Sequence, residues 1–105
     1  QIVRIITNLV KNSIQACQNV SSSKINVTIK KKDNLVEIKV HDNGHGIPED
    51  VRPNVFEPNF TTKSGGMGLG LGMVKNLVNS YEGKINFETK INNGTIFKII
   101  FPLAN

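Results

Sequence analysis

Cysteine is almost absent. Cys17 stands alone in 105 residues, which excludes an internal disulfide and a zinc site built on cysteines. It falls on the apolar side of the first amphipathic stretch, the place of a buried structural thiol, and it suits a reducing compartment. No apolar run approaches the roughly 20 residues that a membrane-spanning helix needs, and no charged-then-apolar leader opens the chain. Aromatic residues make up 6% and are not interleaved with basic ones, as a stacking platform for nucleic acid requires; no nucleic-acid role is expected. A P-loop is excluded as well. No Gly-Lys-Ser/Thr closes the glycine-rich stretch, and Lys63-Ser64 precedes the glycines instead.

What is present is an ordinary globular composition, 38% apolar and 20% charged, at a length that supports one core. The net charge of +5 permits an anionic partner, and nucleic acid, an acidic membrane surface and a nucleotide all satisfy it. The run Lys30-Lys31-Lys32 precedes Asp33-Asn34, a good turn pair, so it decorates a hairpin tip, as solvated surface or as an anion contact. The chain opens at Gln1 inside what reads as a helix, and we expect a piece of a longer protein.

Hydrophobic periodicity predicts a helix from Gln1 to Val20. Ile2, Ile6, Leu9, Val10, Ser13, Ala16, Cys17 and Val20 share a broad arc, with Asn8, Asn12, Gln15 and Asn19 in a stripe beside it. Ile25, Val27 and Ile29, then Val36, Ile38 and Val40, alternate as two strands of an antiparallel hairpin. From His41 to Gly72 the pattern dissolves into Gly, Pro, Asn and Thr, with at most a helical turn around Pro48 to Val51. So long an irregular stretch in a small domain is usually functional or mobile. A second helix is predicted from about Gly68 to Tyr81, with Leu69, Met73, Leu77 and Tyr81 on one face and Gly83 ending it. Residues 84–90 and 95–101 alternate as strands joined through Asn93-Gly94, a hairpin dipeptide. This order predicts helices stacked on one face of a largely antiparallel sheet.

Three segments carry chemical potential. Asn8 and Asn12 lie four positions apart and so one above the other on the helix. A carboxamide oxygen is a neutral, hard ligand suited to Mg²⁺ that already carries water and phosphate oxygens; an ordinary polar flank is the alternative. The second segment, His41-Asp42-Asn43-Gly44-His45-Gly46-Ile47-Pro48, follows a strand. A carboxylate there can accept from an exocyclic amino group, and glycines two apart let the backbone approach a flat ligand; a plain glycine-rich turn is the alternative. His41 and His45 lack partners for a metal site. The third, Ser64 to Gly72, interleaves glycine with Met67, Leu69 and Leu71 and flows into the second helix. Amide groups at a glycine-rich helix start form an anion site suited to phosphates; a flexible linker is the alternative, weakened by the interleaved Leu69 and Leu71. A dinucleotide-binding unit would need a parallel sheet, which the hairpins oppose.

Together these segments resemble the histidine-kinase branch of the ATPase/kinase superfamily shared with gyrase, MutL and heat-shock chaperones. Residues 8–16 (NLVKNSIQA) resemble its N box, Asp42-Asn43-Gly44-His45-Gly46 its G1 box, Val55-Phe56-Glu57-Pro58 its F box and Gly66-Met67-Gly68-Leu69-Gly70-Leu71 its G2 box. All four occur in order, and the likeness spans the whole chain as one catalytic domain. Residues 58–63 (PNFTTK), followed by glycines, resemble the short lid of nitrogen-regulatory-type sensor kinases. The resemblance implies a two-layer α/β sandwich, with helices on one face of a mostly antiparallel, mixed sheet. It implies Mg²⁺ held by Asn12, Asn8 helping to position it or the phosphates, and adenine read by Asp42 in a pocket shaped by Gly44, Gly46, Ile47 and Phe56. Thr62, Lys63, Gly66, Gly68, Leu69 and Gly70 would hold the phosphates of ATP.

Two departures refine it. Hydrolytic relatives place a glutamate where this chain has Asn8, and asparagine cannot serve as that base. The family's acceptor histidine sits on a preceding helix, and no such helix is read in this sequence. We expect the family's first strand to be missing from it as well, and His41 and His45 are not expected to be acceptors. The expected activity is thus phosphoryl transfer from Mg-ATP to a histidine on a separate dimerisation domain and onward to a response regulator. A monomeric domain in the cytoplasm is expected, within a parent that could be membrane-anchored. An ATPase or serine kinase of the same superfamily is the alternative, and a non-catalytic nucleotide sensor comes after it.

Overall fold

A computed structural model describes residues 2–56 and 71–103. Helix α1 spans Ile2–Ala16, strands β1 and β2 span Ile25–Lys32 and Leu35–Asp42, and a short 3-10 turn covers Arg52–Asn54. Helix α2 runs Leu71–Ser80, and β3 (Lys84–Lys90) and β4 (Gly94–Pro102) complete the chain order. The strands form one sheet in the order β1-β2-β4-β3, and all three described pairings are antiparallel. The parallel component implied by a mixed sheet is not among the described strands.

Alternation in the sequence sets the layers. Ile38 and Val40 of β2 and Phe97, Ile99 and Phe101 of β4 point to the same side and are buried, while Glu37, Lys39 and Lys98 between them remain partly accessible. Pairing aligns these residues in cross-strand rows, with Val27, Val40, Phe97 and Phe87 in one and Ile29, Ile38, Ile99 and Ile85 in the next. Both helices cover that side: Ile5 and Leu9 of α1 and Leu71, Val74 and Val78 of α2 join the same core. Each such side chain withdrawn from water contributes about 1.5–3 kcal/mol.

The helices differ from expectation in phase and length. Helix α1 buries Ile5, Leu9, Asn12, Ser13 and Ala16, so Asn12 sits within the core stripe rather than beside it, and Ile2 is 48% exposed. Helix geometry stops at Ala16 instead of Val20 because the following turns tighten: Gln18 N–H donates to Gln15 O and Val20 N–H to Cys17 O, and Asn19 enters the left-handed region at φ 66°. Asparagine tolerates that conformation better than most residues.

In α2, Leu71, Val74 and Val78 face the core, whereas Met73 and Tyr81 are exposed. The predicted Met73-Leu77-Tyr81 stripe is therefore rotated; Leu77 packs on the core from its flank, and Tyr81 meets Phe101 edge-on from outside. Its beginning near Gly68 lies outside the described residues. The helix closes with Gly83 N–H on Val78 O and Glu82 N–H on Asn79 O, the double bond of a Schellman cap. Glu82, at φ 59°, holds the left-handed position. Gly83 matters for a different reason, since a Cβ there would strike the Phe101 ring.

Candidate nucleotide-binding site

The core rows change character at one end of the sheet. Asp42 terminates β2 and pairs across β4 with Thr95, which pairs in turn with Thr89 of β3. Asp42 and Thr95 are 2% and 3% exposed, although every preceding row of this face is apolar on β2 and β4. The carboxylate is held: Gly44 N–H donates to Asp42 Oδ1 at 2.9 Å. The threonines are held too, with their hydroxyls 2.9 Å apart and Ile47 N–H donating to Thr89 Oγ1 at 2.9 Å. A buried polar row is stable only when its members are bonded in this way.

The loop after Asp42 is fastened to three elements. His45 N–H donates to Ala16 O at the end of α1, and Asn92 N–H from the β3–β4 turn donates to His45 O. The His45 ring lies 2.6 Å from Gln18 O through Nε2. Asn43 is a clamp rather than a ligand, since its Oδ1 accepts from Lys24 N–H at 2.7 Å and its Nδ2 donates to Ser22 O at 3.0 Å. Arg52 Nε donates to Ile47 O at 2.9 Å and fixes the far side, where Ile47 is fully buried. The helical turn predicted near Pro48 does start there, with Val51 N–H on Pro48 O, and leads into the 3-10 turn.

Two glycines are required by contact. A Cβ at Gly44 would collide with the backbone of Ala16, and one at Gly46, where φ is 80°, would lie 2.5 Å from Lys90 O. The end of α1, the loop and the end of β3 therefore close on one another around Asp42. Asn12, one helical turn before Ala16, is 4% exposed, and Asn8, a further turn back, is half-buried. Phe56 packs its ring edge-on against Phe87 and Phe97, with Lys75 Nζ 5.6 Å from the ring centroid. Its ring is thus engaged in packing.

The structure brings Asn12, Asp42, Gly44, Gly46 and Ile47 to one end of the sandwich. Thr62, Lys63, Gly66, Gly68, Leu69 and Gly70, together with the lid as a whole, lie outside the described residues. Sequence reading missed Thr89, Thr95 and Gly94. Asn93-Gly94 was expected to form the tip of a two-residue turn, but the loop is Ile91-Asn92-Asn93, and Gly94 pairs with Lys90. At φ 99°, Gly94 lies so close to Asp42 that a Cβ would overlap the Asp42 carbonyl. No local signal marks them, because the β2–β4 register that sets Thr95 beside Asp42 is not fixed by the β3–β4 hairpin.

Burial raises the Cys17 thiol above its ordinary value, and the nearby Asp42 carboxylate adds to the shift. Among the described residues no group of three or more His, Cys, Asp or Glu side chains could hold a metal ion, so a cation here would need neutral oxygens and ligand phosphates. Among the same residues no helix is long and apolar enough to cross a membrane.

The model of the histidine kinase-, DNA gyrase B- and HSP90-like ATPase family matches residues 1–105. A probable C4-dicarboxylate sensor kinase of Halalkalibacterium halodurans is 38% identical over 96% of the chain, which spans 20% of that relative. The sensory histidine kinase/phosphatase NtrB of Rhizobium leguminosarum is 32% identical over 99% of the chain, which spans 30% of it. Among solved structures, the catalytic domain of histidine kinase ThkA superposes with a TM-score of 0.83 at 33% identity, over 99% of this chain and 68% of that one.

Proposed function

The chain belongs to the histidine kinase-, DNA gyrase B- and HSP90-like ATPase family as a histidine-kinase catalytic domain, and from that premise we propose that it binds Mg-ATP and transfers the γ-phosphoryl group to a histidine on a separate dimerisation domain. The observation that carries this reading is the buried Asp42 carboxylate at the mouth of a glycine-lined loop. With one oxygen engaged by Gly44 N–H, the other would accept from the adenine amino group. Thr95, alongside, would fix the same edge of the base. Gly44 and Gly46 let the loop close against Ala16 and Lys90, which would hold Asp42 in place at the edge of the base.

Asn12 would hold Mg²⁺ and Asn8 would orient it or the phosphates. A neutral carboxamide oxygen at a buried position fits a cation whose charge is balanced by phosphates. The metal supplies charge neutralisation on the transferring group. Asn8 offers no base for water, which favours transfer to a protein nucleophile over hydrolysis. Thr62, Lys63 and the glycines from Gly66 to Gly70, with Leu69, would close over the phosphates. Use of ATP supports a cytoplasmic setting, in which the acceptor domain would be its immediate partner and a response regulator would lie beyond it. The chain spans 20% and 30% of the two curated relatives above, and the acceptor would lie in the rest of such a protein.

Calorimetric titration with ATP and GTP tests the adenine assignment, since guanine presents no amino donor at that edge. Equal affinity for the two removes Asp42 from the role. Radiolabelled ATP, with the chain alone and then with a separately supplied acceptor domain, tests transfer. Acid-labile label on the acceptor is the expected result, and rapid turnover without any acceptor contradicts it.

A further inference from the structure

The side of the sheet turned away from the helices carries most of the molecule's excess charge. Pairing and alternation place Lys30, Lys32, Lys39, Lys84, Lys90 and Lys98 on that side. The carboxylates among them are Glu37 and Glu88, leaving most of the net +5 on one surface. Glu37 is already engaged, 3.3 Å from Lys98 and 3.8 Å from Lys39, and the Lys98 hydrogen bond holds its carboxyl below the usual range. Glu88 sits at the opposite end, in the row with His41 and Ile96. The remaining lysines gather towards the β1–β2 hairpin, where Lys30 lies across from Glu37, Lys32 and Lys84 are exposed, Asp33 sits in the turn and Leu35, 46% exposed, faces the same way.

We propose that this sheet face docks on an anionic phospholipid surface. The charges are spread over all four strands instead of converging on a pocket, and they are all lysine. Both arginines, Arg4 and Arg52, lie elsewhere. Arginine grips a carboxylate on a protein partner through two parallel bonds, whereas lysine acts as a point charge and suits a smeared field of headgroups. Leu35, opposite Lys32 on the neighbouring strand, is the arrangement in which an ammonium group stays at headgroup level while an apolar side chain touches the interface. Strands about 4.8 Å apart give a broad face that can meet a bilayer along its width. Docking on this side leaves the helix layer and the Asp42 loop pointing away from the lipid. The argument stands on charge and topology and is independent of what the Asp42 site binds.

Each lysine held near an anionic leaflet strengthens partition by roughly fivefold. Co-sedimentation of the 105-residue chain with vesicles of phosphatidylcholine containing about a third phosphatidylglycerol should show binding that pure phosphatidylcholine lacks and that fades as salt rises from about 0.1 to about 0.5 M. The triple variant Lys30→Gln/Lys32→Gln/Lys84→Gln should lose roughly 100-fold in partition with its thermal melt unchanged. Arg4→Gln/Lys11→Gln/Lys24→Gln removes the same charge from other surfaces and should stay within about threefold of the native chain. Equal losses in the two triples, equal binding to neutral vesicles, or capture by duplex DNA without capture by vesicles would each overturn the proposal.

Discussion

Two ends of one sheet face are built from the same pleat and serve opposite purposes. Towards the Val36–Phe101 row the face is apolar, and Tyr81 closes on Phe101 with ring centroids 6.0 Å apart. At the other end, one residue beyond the Val40–Phe97 pairing and its neighbour, Asp42 and Thr95 are just as deeply buried. A row of hydrocarbon there would gain more from burial, because a polar group must find partners merely to break even. The polar row persists through the bonds from Gly44 and Ile47. Burial alone thus marks the core, and burial against chemistry marks the site.

The largest break in that contrast comes from the apolar rows. Phe97→Ala should cost about 3–5 kcal/mol of stability, read from the denaturant midpoint, while nucleotide affinity per folded molecule stays near native. Gly94→Ala attacks the seam between the two regions. Its Cβ would meet the Asp42 carbonyl at a backbone angle that alanine resists, and a loss of about 2–4 kcal/mol together with weakened ATP binding is expected. A simple turn glycine would lose stability without touching the nucleotide.

Asp42→Asn should show the converse pattern. The amide can still accept from Gly44 N–H, so melting should move little, but ATP affinity should fall by about 1–3 kcal/mol in calorimetry. If stability collapses and affinity survives, the row is structural. The smallest effect concerns Cys17, whose thiol is raised above the ordinary 9.0 by burial and then by Asp42. The unfolded chain ionises first, so stability should decline as pH climbs past 9.0 and level off beyond the folded-state value. Cys17→Ala should flatten that alkaline decline, and Asp42→Asn should shrink it, as followed by thermal melts across the range.

The strands and their hairpins were legible because a period of two survives even when individual residues are swapped. Ile38 and Val40 alternate with Glu37, Lys39 and His41 as cleanly in the fold as in the text. The helix faces were less legible. In α1, Asn12 is buried beside Ser13, and a hydrophobicity reading turns the asparagine outward, shifting the inferred face away from Ile5. In α2, Leu71-Val74-Val78 and Met73-Leu77-Tyr81 are equally apolar stripes, and only packing against α1 and β3 chooses between them. For the site, Asp42, Gly44 and Gly46 could be found in one short segment. Thr95 and Gly94 could not, because they reach Asp42 through strand register, which links residues more than fifty positions apart.

The clamps made by Asn43 and His45 bear on the energetics of capture. Their bonds to Ser22, Lys24, Ala16, Gln18 and Asn92 exist in the chain by itself, so the floor beneath an incoming base is ordered during folding rather than on arrival. Ordering of residues 43–47 then contributes nothing unfavourable to association, and that part of the affinity is set by contacts alone. Loosening a clamp residue such as Asn43 should therefore slow or weaken capture without changing a single atom that would face the base.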